Sequence, residues 1–522
     1  MIDAVADLLF GAVLRTVQAF LQGAPFIFTG LCIAGMLDRL MGHAATRRLF
    51  GSNSLVSLAQ SWLIGMLLPG CSLGVIPICR KLRASGIAVG TIFAFALSSP
   101  LFDPLSLLYG LTLSKPFTIL AFAACSFVVV TVTGAIFDRI CPDTGRPEPE
   151  RPAPVPGLRR ILAIAVDMAR ETTGGTAALV AAGILGVALL AVVLPAGSLQ
   201  RTMAHDNPWS PLLMTAIAIP AYATPMTAMG QLGSMFQHGN SIGAAFILLT
   251  FGAGMNLGLM AWMGLAYGWR KLAVWFGLLL AVVVGISYGI ERPLFPAGIE
   301  PVGHTHAFDR YCAPFPPGSG PPGGRLAEIV DRVRFETQPH EWFGAAILAA
   351  LAVAGVVLRL ADRDGRLDAW LARRPPAGGT SAGRYDVVLP GPVLAVVGLL
   401  AIVAASVVGC YAYYPPPEQV LGELSLATTE VASAAVSGDG DHALDWIPVC
   451  ESWNRRLVVG TYLRRWRVSD YHLAKSRLLA ERLEELEHAI EDDPPEEVRE
   501  HALAASRAYL LLSAAWKAEP LD

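Results

Sequence analysis

The 522-residue chain is 54% hydrophobic and only 16% charged, with 39 Lys and Arg against 42 Asp and Glu. That much apolar surface cannot be hidden in a soluble core, and several runs exceed the ~18 residues that mark a membrane span. With no basic stripe interleaved with aromatics there is no case for nucleic acid, and eight cysteines without CxxC spacing announce neither a zinc knuckle nor a redox pair.

The opening MIDAVADLLF lacks the basic n-region of a cleavable signal peptide, so its apolar residues are read as part of the mature chain. Residues 1–140 read as a first membrane repeat, with an apolar helix near 24–37, a short segment at 55–68, a broken region at 71–113 and a full span near 117–137. Proline and alternating charge make 141–160 a loop. The same order then recurs over 161–289, as a span near 175–195, a short segment at 211–222, a broken region at 224–267 and a span near 271–289. Residues 290–341 read as a polar, proline-rich extracytoplasmic loop, 342–410 as two extra transmembrane helices joined by a cytoplasmic loop, and 411–522 as a soluble helical domain of three or four helices. The fold class is an all-α polytopic membrane protein with two structural repeats, expected to be inverted, and broken helices.

The two broken regions are alike. Laying Gly86 on Gly239 without gaps puts Gly90 on Gly243, Phe93 on Phe246 and Asp103 on Asn256. Interrupted apolar segments at matching places in two halves point to a transporter binding site, because unwound backbone at membrane depth is tolerated only where it lines a cavity. Asp103 is the only acidic residue between Asp38 and Asp138. A carboxylate at that depth costs roughly 2.5–3.5 kcal/mol on insertion scales, so it is read either as a substrate or proton site or as the cap of a helix beginning at Pro104, two compatible roles. Cys71, within Pro-Gly-Cys-Ser-Leu-Gly, is either a thiolate ligand for a soft ion or a small buried residue.

Arginines set the orientation. Arg139, Arg146, Arg151, Arg159, Arg160 and Arg170, together with Arg363, Arg366, Arg373, Arg374 and Arg384, place their loops in the cytoplasm, and so the 290–341 loop and the tail outside. Arg80, Lys81 and Arg83 conflict with this, because an inverted arrangement puts them at the outer side.

The stretch PGCSLGVIPICRKLRASGIAVGTIFAFALSSPLFDPLSLLYG resembles the predicted permease family that includes bacterial organoarsenical efflux permeases and a copper/zinc efflux branch, with its P-x-C-S-C-G-x-x-P and S-P-x-x-N-P patterns. ATPMTAMGQLG and GAAFILLTFGAGMNLG are similar to that family's second-half pattern. The resemblance, over about 10–290, implies a plasma-membrane permease whose substrate-binding residues are Cys71, Ser72, Gly74, Pro77, Pro100, Asp103, Pro104, Thr224, Pro225 and Asn256. The chain departs from the pattern at Leu73, where a second cysteine is expected, at Asp103, where an asparagine is, and at Ala253 or Gly254, where a proline is. One thiol in place of two weakens a direct transfer of arsenical or soft-metal specificity, and the gained carboxylate favours a cation or proton coupling.

In the outer loop, His304, His306, Asp309 and Cys312 stand within nine residues, as a metal capture site or as a solvated loop whose Cys312 pairs with Cys410 or Cys450. His442 and His472 of the tail are read as surface groups. The expected partners are membrane lipid, a small solute or metal or metalloid ion, and an extracytoplasmic protein at the tail. No cofactor is expected, and without a Walker A or HExxH motif neither is an enzyme. The leading function is export of the solute through the repeat interface, and the alternative is a non-transporting metal-responsive receptor.

Overall fold

The computed structural model describes residues 2–51, 54–102, 104–113, 116–142, 147–149, 154–295, 305–315, 324–362, 364–373 and 389–518. Asp103, His304 and Arg363 lie outside the described residues. Two compact units emerge, one of Met1–Leu107 with Phe117–Ala405 and one of Leu108–Pro116 with Ser406–Asp522.

In chain order the helices are α1 (Ile2–Met36), α2 (Gly42–Phe50), α3 (Leu55–Leu67), α4 (Val75–Ala84), α5 (Val89–Ser98), α6 (Pro104–Leu113), α7 (Pro116–Ile140), α8 (Leu158–Thr172) and α9 (Gly175–Val193). They continue as α10 (Ser210–Ala221), α11 (Pro225–Gln237), α12 (Ile242–Ile247), α13 (Leu257–Tyr267), α14 (Trp269–Glu291), α15 (Arg325–Glu336), α16 (Pro339–Ala361), α17 (Arg366–Ala372) and α18 (Gly391–Tyr413). The tail holds α19 (Pro417–Ser437), α20 (Gly440–Arg465), α21 (Asp470–Asp492) and α22 (Pro495–Ala518). No strand occurs among the described residues, only an isolated bridge between Ala204 and Asn240.

Among the described residues six helical runs are long and apolar enough to cross a membrane, namely Val5–Phe50, α7, α9, α14, α16 and α18, and a seventh if the pair Ile242–Ala253 and Leu257–Tyr267, bent by 61°, counts as one span. Even the shortest, the 19-residue α9, reaches about 28 Å at ~1.5 Å per residue, close to the ~30 Å hydrocarbon core. Its outer face shows Leu185, Leu189 and Val193, which a lipid surround accommodates. By contrast α3, α5 and α10 are 13, 10 and 12 residues long and stop inside the bundle.

The first helix begins well before the apolar run at 24–37. Its early turns are amphipathic and are covered by the segment after α14, so that Leu14 and Leu21 pack with Phe315, Ile329 and Val333. Arg325 of α15 donates to the buried Asp7 carboxylate at 3.0 Å, so the segment read as a polar loop contains a helix that docks on α1.

Two carboxylates cap the short helices in the same way. Asp138 at the end of α7 accepts the backbone N–H of Gly90 at 2.6 Å, and Glu291 at the end of α14 accepts that of Gly243 at 2.6 Å. The gapless register that lays Gly86 on Gly239 also lays Asp138 on Glu291. Glycine is needed at both caps, because a methyl on Gly90 falls 2.7 Å from Asp138 and one on Gly243 falls 2.8 Å from Glu291. The two caps lie at opposite ends of α14. Phe137, next to Asp138, stacks on Trp275 near the start of α14 at 5.3 Å, whereas Glu291 closes the helix, about 24 Å further along by helical rise. Aromatics complete the packing, with Phe93 of α5 stacked on Trp275 at 4.6 Å and Phe246 of α12 edge-on to Phe122 at 5.3 Å.

A charge network gathers at one end of this unit. Arg39 grips Asp167 through two 2.7 Å hydrogen bonds and reaches Asp368 at 2.8 Å, and Arg170 joins Asp368 to Asp362. Arg80 pairs with Glu171 at 2.6 Å and Lys81 with Asp38 at 3.1 Å. Arg80 and Lys81 therefore share the end that carries the arginine-rich 158–172 and 361–373 segments, which corrects the conflict drawn from sequence. α4 turns back toward that end after the break at Cys71.

The tail unit is a four-helix bundle whose connections of two to four residues make successive helices antiparallel neighbours. Leu424, Leu457, Leu483 and Leu512 are among its fully buried residues. His472 is buried against Trp516 at 4.3 Å, with Nδ1 2.6 Å from Ser469 Oγ, and is not the surface group its amphipathic surroundings imply. His442 is exposed, as expected.

Candidate functional site

Each of the four helix breaks is written in its local sequence. Pro69 and Gly70 end α3, leaving Leu68 extended, and α4 restarts at Val75. Pro220 lies in the last turn of α10, and Thr224 caps α11 by accepting the Thr227 N–H at 3.2 Å, with Pro225 in the first helical position, where its missing N–H costs nothing. Asn256 caps α13 with Oδ1, accepting Leu259 N–H at 2.8 Å. Pro104 opens α6, and the expected cap at Asp103 falls outside the described residues.

The breaks meet at the centre of the first unit. Gly74 is pressed against α1, where a methyl on Gly74 would collide with the Phe26 carbonyl and one on Gly30 with the Gly74 carbonyl. At Gly183 of α9 the two halves converge, because a methyl there would clash with the Leu73 side chain and fall 2.8 Å from Asn256 Oδ1. Leu101 lies against Gly254, and the Ala223 N–H donates to the Gly252 carbonyl at 2.8 Å. The four breaks, far apart in sequence, thus form one locus. Of the residues named from sequence, Cys71, Ser72, Gly74, Thr224 and Asn256 are placed here, and all are buried. Pro77, Pro100 and Pro225 are buried within or beside the elements that frame it.

Cys71 is fully buried, with the Gly74 N–H directed at its sulfur at 3.4 Å, and the Tyr222 hydroxyl faces the same thiol. Tyr222 was not expected. Its backbone is left-handed, with φ 29°, a conformation that strains a residue bearing a side chain, and its only sequence signal is its place between Pro220 and Pro225. The N-termini of α4, α11 and α13 open on this locus and bring positive partial charge to it.

The outer-loop residues behave separately. His306 Nδ1 lies 2.9 Å from Asp309 Oδ2, and Gln200 Nε2 lies 3.0 Å from that carboxylate and 3.1 Å from the imidazole. The Cys312 sulfur lies 3.7 Å from Ser198 Oγ, and burial pushes that thiol upward. Tyr311 donates to Gln231 of α11 at 2.8 Å, which seats this loop on the first unit. All eight cysteines are free thiols, and Cys450 lies 3.8 Å from Thr428.

A family model described as "Predicted permease" matches residues 9–291, more than half of the chain. The chain belongs to this predicted permease family. It is therefore a multi-pass membrane permease, and the matched span takes in all four breaks. The permease is similar to UPF0718 protein YcgR of Bacillus subtilis (strain 168), at 28% identity over 91 residues, or 17% of this chain and 31% of the relative. The chain thus matches about a third of the length of that curated relative. No solved structure matches the permease.

Proposed function

We propose that this permease exports a small solute, a metal or metalloid species, across the plasma membrane by rocking of two inverted repeats about the Cys71 and Asn256 locus. The observation that carries the reading is the convergence at Gly183, where Leu73 from the first break and Asn256 from the second approach the same point. The repeat relation draws support from the paired caps of Asp138 and Glu291, which fall in one gapless register yet stand at opposite ends of α14. Such a pair is what an inverted duplication produces, and a site between inverted repeats lies near the membrane midplane.

The arginine-rich end is the cytoplasmic one on this reading, with Arg39, Arg80, Lys81 and Arg170 on the side that the positive-inside rule favours. The tail is then extracytoplasmic and free to meet a protein partner there. Asp103, aligned with Asn256, supplies the cation or proton coupling.

Everted membrane vesicles carrying the full chain test this, with Zn(II), Cu(I), As(III) and methylated As(III) supplied with and without a proton gradient. Accumulation of one species, lost in Cys71→Ser or Asp103→Asn while the protein stays folded, is the expected result. No accumulation of any species, with Zn(II) bound at the 304–312 loop, would replace transport by the receptor reading.

A further inference from the structure

Two polar atoms at the locus, Ser72 Oγ and Asn256 Nδ2, are buried without a hydrogen-bond partner, and Tyr222 Oη has none beyond the Cys71 sulfur that it faces. Leaving such groups unpaired is costly, and orphaned groups gathered at one place mark a missing partner. The Asn256 amide is fixed in orientation because its oxygen accepts the Leu259 N–H, so its nitrogen turns two N–H donors to the locus, and an amide N–H cannot ligate a cation. The Ser72 and Tyr222 hydroxyls can each give a proton as well as accept one, which suits a hydroxylated or oxyanionic ligand. Ser72 is joined to Leu73, which meets Asn256 at Gly183, and Tyr222 faces Cys71, so the three groups surround one short stretch of backbone.

Tyr222 is held there at a cost. Its φ of 29° serves no tight turn, since the next N–H is spent on the Gly252 carbonyl, and Gly23 of α1 leaves room where a methyl would fall 2.7 Å from the hydroxyl. A strained backbone that holds a buried hydroxyl against a buried thiol fits a ligand contact, where such strain clusters. The helix N-termini of α4, α11 and α13 reinforce the same polarity.

We propose that Tyr222 is a substrate-contacting, specificity-determining residue which, with Ser72 and Asn256, presents hydrogen-bond donors to the transported solute, so that the locus takes an oxygen-bearing species, hydroxylated or oxyanionic, in preference to a bare metal cation. The inference rests on the transport reading for its location and deepens it by naming the ligand chemistry. Tyr222→Phe keeps the ring and removes only the donor, and Ser72→Ala does the same for the second hydroxyl.

The test uses the purified full chain in lipid nanodiscs, with binding read from ligand-induced thermal stabilisation, and everted vesicles for transport. The probes are arsenite, as the neutral trihydroxy species, selenite and Zn(II). Arsenite or selenite is expected to stabilise the protein, Zn(II) is not expected to compete, and Tyr222→Phe is expected to weaken binding about tenfold, the loss of roughly one hydrogen bond, with the maximal rate within about twofold. Binding that is weakened by Tyr222→Phe without accumulation in vesicles would overturn the transport reading and leave the donor site standing. Unchanged affinity in both Tyr222→Phe and Ser72→Ala, Zn(II) bound in preference to both oxygenated probes, or no stabilisation by either of them would each overturn the donor site, whatever the vesicles show.

Discussion

The carboxylate of Asp138 and the backbone N–H of Gly90 lie 2.6 Å apart, joining the end of a membrane-spanning helix to the start of a short one that stops inside the bundle. Glu291 does the same at Gly243 and also accepts from Ser241 Oγ at 2.8 Å, while pairing with His205 at 3.1 Å. A carboxylate at a helix N-terminus satisfies orphan N–H groups and opposes the helix dipole, and the loss of such a cap costs about 1–2 kcal/mol. Asp138→Ala is expected to lower stability by about that much and Glu291→Ala by more, because more donors are left unpaired. Thermal unfolding of the two variants in the same detergent checks the order.

Arg39 and Asp167 are both buried and joined by two hydrogen bonds, so each is the other's solvent. Removal of one partner strands a charge. Arg39→Met and Asp167→Leu are each expected to cost about 3–5 kcal/mol, whereas the double variant recovers most of the loss, since a buried pair is worth little against apolar replacements. A double-mutant cycle on unfolding reads the difference.

The same network makes the protein sensitive to acid. Burial acts to raise Asp368, but hydrogen bonds and charge from Arg170 and Arg39 outweigh it and hold the carboxyl below its usual range. A folded-state value below that of the unfolded chain contributes stability that is fully present above the ordinary carboxylate pKa, near ~4, and is lost as pH falls through the folded value. Tm measured at pH values falling from 6 toward 3 should drop in the wild type. In Asp368→Asn the part of that drop due to this group should be absent, with a lower Tm at neutral pH.

Backbone contact between α1 and the first break predicts a position-specific glycine effect. Gly30→Ala places a methyl against the Gly74 carbonyl and should abolish solute accumulation while lowering Tm. Gly285→Ala in α14 meets nothing within 4 Å and should leave transport intact, raising stability by up to about 1 kcal/mol through helix propensity. Equal effects of the two would show that the first is generic.

The membrane architecture was legible because lipid leaves only one solution, about twenty apolar residues per span, and the runs near 117–137, 175–195 and 271–289 and the two extra helices within 342–410 correspond to α7, α9, α14, α16 and α18. The breaks were legible because proline and glycine interrupt apolar segments at Pro69, Gly70, Pro220 and Pro225. Other features left little trace. The early turns of α1 are half polar because α15 covers them, and nothing local announces a partner some three hundred residues away. Tyr222 is an ordinary aromatic in the sequence. Its importance comes from a backbone angle and from facing Cys71, neither of which composition or spacing encodes. The conflict over Arg80, Lys81 and Arg83 arose because charge counting cannot see a helix turn back, whereas the pairing of Lys81 with Asp38 shows it.

The central claim, that both broken segments build one solute site, is tested most directly by hydrogen–deuterium exchange of the full chain in nanodiscs, with and without a saturating solute that accumulates in vesicles. Peptides covering Leu68–Val75 and those covering Tyr222–Thr227 and Met255–Leu259 should slow together, with the 417–518 helices unchanged. Protection confined to one break, or found only in the 305–315 loop or the tail, would contradict it.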